Sequence, residues 1–492
     1  MNSCSAASPY PDTTTSKYTN DGDGHVLTTT DQATQVVTNA YDYAGQLSSV
    51  TNAAGQTVYA YDLDGNLAQV TDADNRNTTY QYDQLNRRIR RTLPLAMFES
   101  YGYDVAGNQT GKTDFNGKTT TYTFDSLNRL LTKVPDPSLS QPTVTFTYTA
   151  TGKRASMADA SGSTSYTYDN RDRLVTEATP EGTLTYTYDA HGNVLTLASS
   201  NTNGASLTYT YDALGRLANV TDNRLVAQGA ASGLTTYTYD AVSNQATYTY
   251  PNSVQSTFTY DTLNRLTQMV SAKSGTNLAS YAYTVGAAGN RTNVLELNSR
   301  NVAYGYDPIY RLTSEAITAD PGGKNGTVSY TNYDAVGNRL AMTSTLNAVP
   351  GGSFSYDNND RLAVDSYDAN GNTTSSAGIA NTYDFENHML RHGGVTMVYD
   401  GDGNRVSEAV GGTTTKYLVD SLNPTGYAQV IDETMSGAVT RTYAYGLQRI
   451  SENQKISSTW TPSFYGYDGH GNVRFLTGSA GTTTDSFRYD LA

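Results

Sequence analysis

The chain has 492 residues, with 32 Lys+Arg against 46 Asp+Glu and a formal net charge of −14. Without a basic block it lacks the electrostatic footprint of a phosphate-tracking protein, so no nucleic-acid partner is expected. No apolar run reaches ~18 residues, which excludes a membrane-spanning helix, and one cysteine, Cys4, excludes a disulfide framework and a cysteine-zinc site.

Leu, Val, Ile and Phe make up only 83 of the 492 residues, a share that ordinarily points towards disorder when it falls below ~20%. The 41 tyrosines reverse that expectation, because each phenol ring can bury ~150 Å² or more. Taken in chain order, residues 1–35 read as an irregular leader or partial repeat. Their opening, MNSCSAASPY, has neither a basic n-region nor an apolar h-region, so no signal peptide is expected. Cys4 has no histidine within twenty residues to activate it and is expected to be inert.

From residue 36 to 394 the chain repeats. The pair Tyr-Asp occurs 17 times, first at steps of 20 and 21 residues (Asp42, Asp62, Asp83, Asp104) and later at longer ones, where insertions such as LVAQGAASGL (225–234) are expected in loops at one rim. Typical units are TSYTYDNRDRLVTEA and LTYTYDALGRLANVTD. Rings at i and i+2 with Thr between them, as in Tyr166/Tyr168, Tyr186/Tyr188, Tyr209/Tyr211, Tyr237/Tyr239 and Phe258/Tyr260, have the period of a strand and lie on one face. The following Asp can bond the backbone two residues on, and Gly or Asn three residues after it tolerates left-handed dihedrals. A second strand then starts with Arg or Asn and an apolar residue, as in Arg129-Leu130, Arg173-Leu174 and Arg216-Leu217. Each unit is therefore a β-hairpin. The residues expected to carry the repeat are Tyr82, Asp83, Tyr103, Asp104, Tyr168, Asp169, Tyr188, Asp189, Tyr211, Asp212, Tyr239, Asp240, Tyr260 and Asp261.

About forty strands in series cannot form a flat open sheet, since twisted sheets beyond ~10 strands curl, split or close. No helical periodicity appears, so no helix layer is available to cover a face. The expected fold is all-β, a spiral antiparallel hairpin sheet whose ring face buries against itself in a hollow shell.

The YxYDxxGRL unit resembles the YD repeat of Rhs proteins, wall-associated bacterial toxins, the B and C components of Tc toxins, and the YD shell of teneurins. The likeness runs from Val36 to the C-terminus. Residues 395–492 read as degenerate repeats, and YLVDSLNPTGYAQVIDE (417–433) with FYGYDGHGNVRFLTG (464–478) resembles the stretch before the Rhs-associated core. The resemblance implies a β-shell that encloses a C-terminal toxin or effector. Toxin-bearing relatives continue into an aspartate-rich self-cleaving segment. This sequence reaches FRYDLA (487–492) before any such segment, so it is expected to be the shell part of a larger or split protein, or a truncated open reading frame, with no cleaving aspartate and no toxin to assign.

No catalytic residue, metal ligand or cofactor is expected. An Asp at every hairpin corner is explained by its turn rather than by paired-carboxylate chemistry. DGDGN (400–404) begins like a calcium loop but has Arg405 and Gly411 where Gly and Glu are required. His388 and His392 lie in strand and turn, where their spacing does not chelate. Rim arginines such as Arg129, Arg173, Arg216 and Arg265 are expected to stack on a neighbouring ring or pair with a corner Asp. Two roles follow: a non-catalytic container for an enclosed toxin or effector polypeptide, working with secretion machinery, or a surface that binds cell-surface glycans. Either is expected to be secreted or at the cell surface, by a non-Sec route or as part of a longer chain.

Overall fold

The structure, a computed structural model, describes residues 15–423 and 426–489; Cys4 lies outside the described residues. Each repeat folds as its sequence dictates. In the strand Gly55–Tyr61 the residues alternate between exposed Gln56, Val58 and Ala60 and half-buried Thr57, Tyr59 and Tyr61, which puts both rings on one face. This strand pairs antiparallel with Leu67–Thr71, Tyr59 opposite Val70 and Tyr61 opposite Leu67, with a bulge between Ala60 and Tyr61. The same bulge recurs at the second ring of the later hairpins, as at Tyr82, Tyr168, Tyr188 and Tyr211. A bulge bends and twists a strand, so its repetition gives the sheet a constant sense of curvature.

The turn between the two strands is built by the Asp. Asp62 Oδ1 accepts from Asp64 N at 3.0 Å and Asn66 N at 2.8 Å, and Gly65 takes a φ of 86°. Asn128 and Asn264 occupy the Gly65 position at φ of 61° and 59°, as the preference of Asn for left-handed backbone allows.

Consecutive hairpins pair in chain order into a 31-stranded and a 13-stranded sheet. The hairpin of Lys17–Asn20 with Val26–Thr30 already joins the first sheet through Val36–Tyr41, and Met389–His392 pairs with Val395–Tyr399, so the ladder runs on through residue 394. Among the described residues the ladder of strands breaks between Gly352–Ser353 and Ser366–Tyr367, where an isolated bridge pairs Tyr356 with Leu362. Backbone and side chains share the connection there: Phe354 N donates to Leu340 O at 2.8 Å, Tyr356 Oη to Arg339 O at 3.1 Å and Arg361 Nη1 to Asp368 O at 3.2 Å.

The sheet winds, and the second winding follows the first in the same direction. Tyr310 bonds Asp31, Lys133 bonds Glu386, Tyr186 bonds Asp420, Tyr250 bonds Tyr465 and Arg474 bonds Glu296, at sequence separations of 279, 253, 234, 215 and 178 residues. The falling separation means that fewer residues close each turn, so the spiral tapers towards its C-terminal side. Contacts up to Gly401 join one rim to the other. The Asp-led turns of the second winding sit on the segments that connect hairpins in the first: 357–361 bonds Arg76 and Leu95, 368–372 bonds Asp114, 384–388 bonds Gln141, and 400–404 bonds Asp159.

Burial follows the taper. Among the described residues the first buried apolar side chain is Val144, and the main core joins Leu184, Tyr186, Leu207, Tyr237, Tyr248 and Met269 of the first winding to Leu418, Ile431, Tyr443, Phe464 and Phe475 of the second. The ring face is thus the inner face. Before Val144 its rings, Tyr59, Tyr80, Tyr101 and Tyr122, are only half-buried.

One expectation needs correction. The sequence showed no helix, yet the insertion after Asp222 contains a one-turn helix, Asn223–Ala227, whose first turn Asp222 caps by accepting from Arg224 N at 3.0 Å. Five residues are too few for a 3.6-residue period to register, and Leu225 buries at 2% exposure.

Candidate functional site: the inner face of the wall

The residue opposite the first ring of each hairpin also points inward, and its chemistry changes along the spiral. Val70, Arg91, Lys112 and Lys133 face Tyr59, Tyr80, Tyr101 and Tyr122, whereas Met157, Leu197, Val220 and Met269 face Phe146, Tyr186, Tyr209 and Phe258. The later residues are buried under the second winding. Three successive cations mark the stretch where the wall is less covered.

A second set of inward cations occupies the position normally held by Leu after the turn. Arg88 lies 5.0 Å from the Tyr101 ring centre, Arg154 4.8 Å from Phe146, Arg291 4.2 Å from Tyr283 and Arg449 4.7 Å from Tyr443. Such stacking contributes about 0.5–1 kcal/mol where exposed and more where desolvated. Sequence reading named the rim arginines and missed these. The signal was present, as Arg87-Arg88 and Lys153-Arg154 in place of Arg-Leu.

Carboxyls on this face fall into two groups. Glu99, 4% exposed, accepts from Tyr101 Oη at 2.5 Å and pairs with Arg91 at 2.7 Å and Lys112 at 3.4 Å. Burial and then the bond to Glu99 push the Tyr101 phenol up to about 12. Where the windings meet, carboxyls are crowded instead. Glu177 is pushed up to about 7, first by burial and then by the charges of Asp420, Asp400 and Asp402, with Arg154 opposing. Asp420 accepts from Tyr186 Oη at 2.8 Å, and Asp432 accepts from Ser199 Oγ and Ala205 N at 2.5 and 2.8 Å. Burial raises both above the usual carboxylate range.

The residues singled out from sequence are placed as follows. Tyr82, Tyr103, Tyr168, Tyr188, Tyr211, Tyr239 and Tyr260 each donate their hydroxyl to a backbone carbonyl of the preceding hairpin, on Leu67, Arg88, Arg154, Leu174, Val194, Leu217 and Gln245. Asp83, Asp104, Asp169, Asp189, Asp212, Asp240 and Asp261 each accept, through Oδ1, the N–H four residues on, at 2.8–3.0 Å. The bond to the Arg173 side chain, and then the Arg173 N–H, hold Asp169 down to about 2. These aspartates lie at the corners, apart from one another, and form no carboxylate pair among the described residues.

Arg129, Arg173 and Arg216 both pair with the corner Asp and stack on a neighbouring ring, whereas Arg265 pairs with Asp261 and donates to Gly286 O. Arg173 donates through Nε to Asp169 at 2.7 Å, through Nη1 to Asp189 O at 2.9 Å, and lies 4.6 Å from the Tyr188 ring centre. Asn plays the same part elsewhere, Asn66 Nδ2 reaching Asn86 Oδ1 and Asn108 Nδ2 reaching Asn128 Oδ1, both at 2.9 Å.

Potential metal ligands converge, among the described residues, at Asp21, Asp23 and His25, with atoms within 4.8 Å of one another. Asp21 is already engaged, accepting from Asp23 N, His25 N and His25 Nδ1. His388 and His392 diverge to Asp384 and Asn381. A cleft of about 550 Å³ lies where Tyr186, Tyr188, Tyr209 and Tyr211 meet Asp420, Leu422 and Tyr445.

Comparison with known proteins gives consistent likenesses. The RHS Repeat family model matches residues 61–96, 100–138, 148–184, 168–202 and 188–224. The chain is 28% identical over 319 residues to the tRNA3(Ser)-specific nuclease WapA of Bacillus spizizenii, covering 52% of this chain and 13% of that protein. It is likewise 28% identical over 317 residues to the tRNA nuclease WapA of Bacillus subtilis, with the same coverage of 52% and 13%. The aligned part is thus a small fraction of these curated relatives. Among solved structures, TcdB2-TccC3-TEV superposes with a TM-score of 0.77 at 14% identity, over 97% of this chain and 30% of that one. The Photorhabdus luminescens Tc holotoxin pore gives 0.64 at 15% identity, over 97% and 27%. At such identities the likeness is one of fold.

Proposed function

With this chain an Rhs/YD-repeat protein, folded as a β-shell of the kind seen in the TcdB2-TccC3 structure, we propose that it is a non-catalytic container that encloses and helps deliver a toxin or effector polypeptide. The observation that carries this reading is the winding itself. The ring face turns inward along the whole spiral, the rims stack, and the inner face stays partly open before Val144. A lining of half-exposed phenols and threonines offers amphipathic contact without a continuous apolar patch that would hold one cargo irreversibly.

The wall's own carboxyls support a structural role, since the corner aspartates are spent on turns and the deeper ones on seams. The ring pairs on which an adhesive surface would depend face inside. The relatives carry the word nuclease in their names, but the aligned stretch is the repeat wall. Delivery places the protein outside the cell or on its surface, and no described helix is long and apolar enough to cross a membrane.

The test is protease protection. A segment encoded downstream of the shell, expressed with it, should co-purify and resist protease until the wall is opened by denaturant. Digestion at the rate of the free segment would end the container reading.

A further inference from the structure

We propose that Arg88, Arg91 and Lys112 form a docking ladder on the inner wall for an acidic, unfolded stretch of enclosed polypeptide. The inference rests on the container reading and names what part of a cargo the wall would hold.

All three side chains share the inner face with the rings. Arg91 and Lys112 stand opposite Tyr80 and Tyr101, and the Arg88 guanidinium lies 5.0 Å from the Tyr101 ring centre. Further along the same row stand Leu197, Val220 and Met269, which are buried in the core. Around residues 76–116 the second winding touches the first at rim turns, through Asp360 to Arg76, Asn359 to Leu95 and Asp368 to Asn116. Arg91 and Lys112 accordingly keep 35% and 37% side-chain exposure, towards the lumen.

Their charge is under-compensated. One carboxylate, Glu99, faces both Arg91 and Lys112, at 2.7 and 3.4 Å. Arg88 donates to the Tyr101 hydroxyl at 3.4 Å and meets no carboxylate among the described residues. The next inward cations are already committed to the seam, Lys133 to Glu386 and Arg154 to Asp402. Three cations against one carboxylate leave a local positive surplus inside a chain whose net charge is −14. The rest of the molecule would repel an acidic segment, so charge complementarity selects this place for it.

Spacing points to an extended occupant. Successive hairpins lie about 9.6 Å apart, two strand spacings of ~4.8 Å. Three residues of an unfolded chain in polyproline II form rise about 9.3 Å and return the side chain to the same face. A carboxylate at every third residue would meet Lys112 and the Arg88/Arg91 pair in turn, with phenol rings between them to take up apolar side chains.

The probe is a fluorescein-labelled twelve-residue peptide of four Glu-Ser-Gly repeats, with Gln-Ser-Gly repeats as control, followed by fluorescence anisotropy at low salt on the full chain. The acidic peptide should bind wild type at least tenfold more tightly than the control does, and Arg91→Glu/Lys112→Glu should abolish that difference. Arg88→Gln/Lys112→Gln, which leaves the Arg91–Glu99 pair intact, should weaken it by a smaller factor while the melting temperature holds. Equal binding of both peptides to wild type, or affinity unchanged in both variants, overturns the ladder. Protease protection separates the two readings: protection without acidic-peptide binding removes the ladder alone, and acidic-peptide binding without protection removes the container and leaves the ladder.

Discussion

At the scale of single residues, the recurrent tyrosine works through its hydroxyl as well as its ring. Sixteen of these phenols among the described residues donate backwards to a main-chain carbonyl of the preceding hairpin, at 2.5–3.1 Å. Phenylalanine, equally good at filling the space, cannot make this bond, which explains the choice of Tyr over Phe in the repeat. Tyr211→Phe should cost about 1 kcal/mol, the net value of one hydrogen bond, and Tyr211→Ala about 3–5 kcal/mol; urea unfolding measures both. Equal losses would show that the hydroxyl contributes nothing. Glu177 makes a second residue-level prediction. Its folded carboxyl stays protonated up to about 7, against an ordinary value of 4.5. Between those values the unfolded chain ionises while the folded one does not, so the favourable contribution is full below about 4.5 and lost as pH rises to about 7. Glu177→Gln should raise the melting temperature above pH 7 and change it little below pH 4.5, flattening the profile in between. The inward Arg88 and Arg91 were overlooked in the sequence because a charged residue inside a strand reads as an outward one until the bulge at Tyr82 sets the register.

At the scale of the hairpin, nearly everything was legible. The alternation of Thr and ring, the Asp-led turn and the left-handed position three residues later are local events, decided within about ten residues of chain. Gly215 shows the rule in isolation, with φ at 75° and nothing within 4 Å of a built Cβ. Gly215→Ala should therefore cost about 1–2 kcal/mol from backbone strain alone, and Gly215→Asn less, because Asn128 and Asn264 already sit at that position. Equal stability of the Ala variant and wild type would contradict the assignment. What a hairpin donates to its neighbour was only half visible. Arg173 could be seen as a partner for Asp169, but its second bond, to Asp189 O, depends on how far the next finger is rotated.

For the whole molecule, the seam between windings is closely packed at Gly401. Gly401 donates its N–H to Asp159 Oδ2 at 2.6 Å, and a Cβ there would approach Val144 Cγ1 at 2.6 Å and Met157 Sδ at 2.8 Å. Gly401→Leu should force the second winding off the first while the hairpins persist. The expected result is new protease cleavage near residues 141–160 with little change in far-UV circular dichroism. An unchanged digestion pattern would show that the seam tolerates the bulk. On the proposed container reading, this seam is where the wall would open for its contents to leave.

The sequence by itself determined the hairpin, its turn chemistry, the single ring-bearing face and the need for the sheet to wind, since each follows from short-range sterics, hydrogen bonding and the impossibility of a flat sheet of that width. Only the tertiary structure decided which residues meet across windings, how the spiral tapers, and where the wall is packed against itself rather than open. Those depend on small rotations accumulated over some twenty hairpins, and a pairing such as Tyr186 with Asp420, 234 residues apart, has no local signature to read.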